Sequence, residues 1–234
     1  MNKLTFLESN PLMGSNTIPL FKKRFSMMLK PIATVFLAFS FLTATLPAPA
    51  FAGLIHPAAA ITKDLENAVN TQIRHEMEAA YFYLALANVY EQQALFGFSH
   101  WFTVQFFEEV THARLMMKFL SDKGNEVRLE SLQPTSMKKD LTAMDGANLG
   151  LQAEEAQTSR IHALYELART AKAYDLETVM AFFVKEQVQE EASFTDLQQK
   201  LKIIGNSPEG LLALDRDLLA RPVPVVQPLP VIGP

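Results

Sequence analysis

The chain has 234 residues, enough for a sizeable core, and carries 21 basic against 25 acidic side chains, a formal charge of −4. It has no cysteine, which excludes a disulfide framework, thiolate metal sites and cysteine nucleophiles, so any metal must be held by oxygen and imidazole. The acidic balance, with no Lys/Arg cluster past residue 52, argues against nucleic-acid binding.

The first 52 residues form a segment of their own. Lys3, Lys22, Lys23, Arg24 and Lys30 face a single acid, Glu8, and precede an uncharged run of 15 residues from Ile32 to Leu46. The run is shorter than the roughly 20 residues a spanning helix needs, and Ala50-Phe51-Ala52 has the small-x-small pattern that signal peptidases accept. Residues 1–52 are therefore expected to be an address removed before Gly53, leaving no permanent membrane span in the mature chain. The long basic stretch leaves three forms open: an export signal to a periplasmic or secreted location, an internal start at Met27 or Met28, or an organellar extension of plastid type. A cytoplasmic location fits this segment less well. Five of the 21 basic residues and one of the 25 acidic residues lie before Gly53, so the rest of the chain carries −8.

Beyond the segment, apolar residues recur every three or four positions in four long stretches, and no stretch alternates with a period of two. An all-α fold is expected. The first helix runs from an N-cap at Thr62 to about Tyr90, and the second from about Gly97 to Lys123, ahead of the stop signal Gly124-Asn125. Residues 125–141 lack periodicity and contain Pro134, so they form a long connection. The third helix is expected over about 142–173 and the fourth over about 175–204, joined by a short link that makes them antiparallel. One long crossover in a four-helix bundle is the topology of ferritin-like folds. Ser207-Pro208 caps a short fifth helix reaching Leu219. The bundle with this helix fills residues 62–220, and the proline-rich tail of 221–234 has no core of its own.

The chemistry lies in residues that share helix faces. Glu109 and His112 are three apart on the second helix, so both can grip one ion, and Gln187 and Glu190 repeat that spacing on the fourth. Glu76 and Glu154 come singly from the first and third. Glu154 is favoured over Glu155 because Ile161, Leu164 and Ala168 then fall on its side. Two helices giving one glutamate each, and two giving an i, i+3 pair, is the pattern of di-iron carboxylate bundles, in which both pairs read Glu-x-x-His. Here the second pair reads Gln-x-x-Glu. The ligand set suits iron, manganese or zinc. An isolated helical glutamate ordinarily faces water, as expected of Glu78, Glu91, Glu166 and Glu177. His75, His100 and His162 are expected to be surface or structural, and Trp101, Phe102, Phe106, Met116 and Phe119 to be core or subunit contacts.

Four segments together resemble the ferritins, and more closely the non-haem bacterial-type ferritins: HEMEAAYFY (75–83), FFEEVTHARLM (106–116), KEQVQEE (185–191) and GNSPEGLLALDRDL (205–218). The similarity spans about residues 65–219. It implies a ferroxidase centre with Glu76, Glu109 and His112 at one iron, and Glu109, Glu154 and Glu190 at the other, with Gln187 nearby and Tyr83 beside the site. A further metal position would use Glu108, Glu186, Gln189 and Glu190, where Gln189 replaces the usual glutamate. Val110 stands where haem-binding relatives carry methionine, so no haem is expected.

The resemblance further implies an iron-storing protein that oxidises Fe(II) with O2 or peroxide and keeps the ferric product inside a homo-oligomeric shell of 24 subunits. Two other readings share the bundle: a di-iron oxygenase or peroxidase acting on an organic substrate, and a metal-binding bundle without oxidation. Most bacterial members of the family are cytosolic, so the N-terminal address sets this chain apart.

Overall fold

The structure, a computed structural model, describes residues 59–133 and 135–224; the expected address segment and the end of the tail lie outside the described residues. Five helices and no strand are found among the described residues: α1 (Lys63–Gln92), α2 (Phe96–Asp122), α3 (Ala143–Thr170), α4 (Tyr174–Ile204) and α5 (Pro208–Leu218). These bounds fall within three residues of those read from periodicity, with turn residues setting the ends. None of the described helices is long and apolar enough to cross a membrane.

Local capping explains where each helix starts and stops. Thr62 accepts the Leu65 amide through its hydroxyl, and Asp64 and Glu66 place negative charge on the first turn of α1, where the helix dipole favours it. Thr142 and Asp145 form a reciprocal capping box on α3. Ser207 accepts the Gly210 amide at 3.0 Å, with Pro208 in the first turn of α5. α2 runs out at Gly124, whose φ of 71° is open to glycine at little steric cost.

The connection between α2 and α3 is pinned at both ends. Near its start, Asn125 Nδ2 donates to Glu66 Oε2 at 2.9 Å and to the Ile61 carbonyl at 3.1 Å, and Asn70 Oδ1 accepts the Arg128 amide at 2.7 Å. Lys63, followed by Asn125, holds the Glu66 carboxyl down at about 2. At its far end, Gln93 Nε2 donates to the carbonyls of Lys139 and Leu141 at 3.0 Å, and Tyr90 Oη donates to that of Thr142 at 2.8 Å. Residues 125–141 therefore run from the start of α1 to its end. This brings α3 back beside the start of α2 and gives the single-crossover bundle. α5 then docks on α2 without a gap: a Cβ on Gly97 would lie 1.6 Å from the Asp215 carbonyl oxygen, and Asp215 Oδ1 accepts the Phe98 amide at 2.9 Å.

Two apolar clusters fill the bundle. One holds Tyr83, Tyr90, Phe98, Trp101, Phe102 and Phe194 at the α5 end; the other holds Leu65, Ile73, Met116, Leu120, Ile161, Met180 and Phe183. Phe194 meets Trp101 edge-on at 4.7 Å and stacks on Tyr83 at 5.9 Å, contacts each worth about 1 kcal/mol beyond area burial. In every long helix the predicted ligands fall between these halves, as Glu76 does between Ile73 and Tyr83, and Glu190 between Phe183 and Phe194. A polar layer is thus enclosed by two dry ones.

Candidate metal centre

Buried in that layer are Glu76, Glu109, His112, Glu154, Gln187 and Glu190, none more than 7% exposed. Glu155 is exposed, so α3 turns the first of its two adjacent glutamates inward, together with the buried Ile161, Leu164 and Ala168. Glu76, Glu109 and His112 offer ligand atoms all within 4.8 Å of one another. His112 Nδ1 lies 3.8 Å from Glu109 Oε2, too far for a hydrogen bond. Its ring packs edge-on against Phe183 at 5.4 Å.

Glutamine amides hold the carboxylates in place. Gln72 Nε2 donates to Glu76 Oε1 at 2.8 Å and Gln157 Nε2 to Glu76 Oε2 at 2.7 Å. Arg160 Nε donates to Gln157 Oε1 at 2.8 Å. Because arginine can only donate, it takes the amide oxygen and leaves the nitrogen for Glu76. Gln105 Nε2 donates to Glu190 Oε2 at 2.9 Å, and Gln187 Nε2 donates to Glu154 Oε2 and to Thr158 Oγ1, each at 3.2 Å. The Tyr83 hydroxyl donates to Glu154 Oε1. Gln187 thus supports Glu154 through its nitrogen.

Two buried acceptors among the described residues have no donor: Glu109 Oε2 and Gln105 Oε1. An unpaired buried carboxylate oxygen is costly unless a cation or proton meets it. Burial first, then Glu154 and Glu76, push the Glu109 carboxyl well above the usual range. Burial, then Glu190, raise Glu154 to about 8, against the downward pull of its bonds from Tyr83 and Gln187. Burial and then Glu154 keep the Tyr83 phenol protonated well above its ordinary range. The shifts at Glu109 and Glu154 favour the protonated carboxyls over bare, mutually repelling carboxylates in this layer. Carboxylates and one imidazole, with an unpaired oxygen among them, fit hard or borderline divalent ions.

Residues at the margin behave differently. Glu108 is about a quarter exposed and pairs with Arg221 at 2.6 Å. Glu186 is half-buried, and Gln189 faces solvent. Of the glutamates expected on solvated faces, Glu91 and Glu166 are exposed and Glu177 is half-buried. Glu177 and the likewise half-buried Glu78 both depart from that expectation, and Glu78 accepts from Arg74 at 2.6 Å with His75 at 3.1 Å. His162 is exposed, while His100 is half-buried and its Nε2 bonds the Arg221 carbonyl at 2.8 Å.

Sequence reasoning missed Gln72, Gln105, Gln157, Arg160 and Arg221. The glutamines carried a signal: Gln72 and Gln105 each stand four residues before a ligand glutamate, and Gln157 three after one, which places them on ligand-bearing faces.

Comparison with known proteins bears on the fold that carries this geometry. The family described as Ferritin-like domain matches residues 66–204. The bacterial non-heme ferritin of Staphylococcus haemolyticus is 29% identical over 161 residues, covering 69% of this chain and 96% of its own, and that of Staphylococcus aureus is 29% identical over 162 residues. Among solved structures, an engineered closed form of the Archaeoglobus fulgidus ferritin superposes with a TM-score of 0.68 at 35% identity, covering 70% of this chain and 99% of that one. The open-pore ferritin of the same archaeon gives a TM-score of 0.67, also at 35% identity, covering 70% and 100%. The chain belongs to the ferritin-like domain family, and within that family it resembles the non-haem ferritins.

Proposed function

We propose that this chain takes up Fe(II) at the buried centre, oxidises it with O2 or peroxide, and stores the ferric product in a homo-oligomeric shell. The observation that carries the reading is the triad of Glu76, Glu109 and His112 around the unpaired Glu109 Oε2, inside a bundle of the ferritin-like family. Iron is the substrate. Glu76, Glu109 and His112 would hold one ion, and Glu109, Glu154 and Glu190 a second, with Glu109 between them and Gln187 orienting Glu154. Two Fe(II) ions then give one electron each to O2, which with two protons leaves as hydrogen peroxide, so no one-electron oxygen species is released. Each ion displaces a proton from the raised carboxyls Glu109 and Glu154, which makes uptake weaker in acid. The carboxylates favour Fe(III) over Fe(II) by charge, and the two apolar clusters keep bulk water from the layer.

Assembly is supported by large apolar side chains left exposed on one subunit, among them Tyr81, Leu84, Phe96, Phe107 and Val188. By resemblance the shell would have 24 subunits. The N-terminal segment would deliver this protein to an exported or organellar compartment, which N-terminal sequencing of the protein from its native cells tests. The reading as a whole is tested by stopped-flow oxidation of Fe(II) in the protein and in Glu109→Ala.

A further inference from the structure

Arg221, three residues past α5, is held from several sides. Its Nη2 donates to Glu108 Oε2 at 2.6 Å, its Nη1 to the Trp101 carbonyl at 3.5 Å, and its own carbonyl bonds His100 Nε2 at 2.8 Å. The guanidinium lies 4.7 Å over the Trp101 ring. Trp101 is wedged against Phe194, and α5 is fixed to α2 through Gly97 and Asp215, so the tether has a rigid base.

Glu108 adjoins the buried Glu109 in sequence and is itself about a quarter exposed. It therefore stands at the edge of the buried centre, where a half-buried carboxylate calls for a cation. The chain supplies that cation itself. Arginine is charged at every accessible pH and its planar fork matches a carboxylate, so it does not leave by losing a proton. Gln189, which the resemblance put beside Glu108 in a further metal position, is neutral and solvent-facing, and so adds no charge to attract a metal ion.

We propose that Arg221 is a tethered cation that fills the position at Glu108, so that the centre takes two divalent ions and excludes a third. This rests on the two-iron reading above. Arg221 thus sets the stoichiometry of the centre from outside its ligand set.

The test is anaerobic titration calorimetry of the full, metal-stripped protein with Fe(II) as the probe. Wild type is expected to bind about two ions per subunit, Arg221→Ala about one more, and Arg221→Ala with Glu108→Gln again about two. Arg221→Gln, which keeps a polar side chain at the site, is expected to match Arg221→Ala, so the result does not hang on one variant. Unchanged stoichiometry in both Arg221 variants, or a third ion already bound by wild type, overturns the proposal while the two-iron reading stands. Wild type that binds none of the first two overturns that reading and this one with it.

Discussion

Replacing Glu154 by glutamine separates the stability of the empty bundle from its chemistry. Unfolded, the carboxyl titrates near 4.5; folded and metal-free, burial and Glu190 raise it to about 8. Folding thus favours the protonated form, so the stability this group permits is fully present below about pH 4.5 and is lost as pH rises through about 8. With one pKa unit equal to about 1.4 kcal/mol, moving from about pH 5 to about pH 8 withdraws about 3 kcal/mol from the metal-free protein. Glutamine does not titrate, so Glu154→Gln escapes this loss. It offers only one acceptor where Tyr83 and Gln187 both donate, a penalty of about 1 kcal/mol that does not vary with pH. The variant's advantage over wild type should therefore widen by about 3 kcal/mol across the range. For a domain of this size that is about 6–12 °C in Tm. Scanning calorimetry of chelator-treated protein at stepped pH reads it directly. A Tm difference that stays constant from about pH 5 to about pH 8 refutes the placement of a raised carboxyl at Glu154. Divalent metal should reverse the order, stabilising wild type more than the variant.

A Cβ on Gly150 would fall 1.9 Å from Phe194 Cε1, and Phe194 is fully buried between Tyr83 and Trp101, so Gly150→Ala should destabilise by about 1–3 kcal/mol in thermal melts. A melt equal to wild type would show that Phe194 has room to move. Tyr83→Phe removes the hydroxyl that orients Glu154 and should slow Fe(II) oxidation about tenfold without changing how many ions bind anaerobically. An unchanged rate would leave Tyr83 as a packing residue.

Much of this architecture is legible in the sequence because its signals are local. Thr62, Thr142 and Ser207-Pro208 announce helix starts, Gly124 a stop, and the i, i+3 pairs mark ligand faces before any packing is known. Choosing between Glu154 and Glu155 needed only the apolar residues further along α3. What periodicity does not carry is which neighbour from another helix answers a buried side chain. Gln157 meets Glu76 across 81 residues, and Arg221 meets Glu108 across 113. Such partners are set by the crossover and by α5 docking, which are tertiary events. Glu78 read as a solvated residue because its partners Arg74 and His75 lie one turn away on a face whose depth the sequence does not encode.

The proposed oxidation of Fe(II) takes place at the buried carboxylates and His112. It is tested most directly by loading the purified protein with Fe(II) without oxygen, then adding oxygen and recording absorbance on a millisecond scale, with Glu109→Ala beside it. A fast phase that saturates at about two irons per subunit and vanishes in the variant is the expected result. Slow oxidation of equal rate in both proteins would contradict it and leave the bundle a metal-binding one.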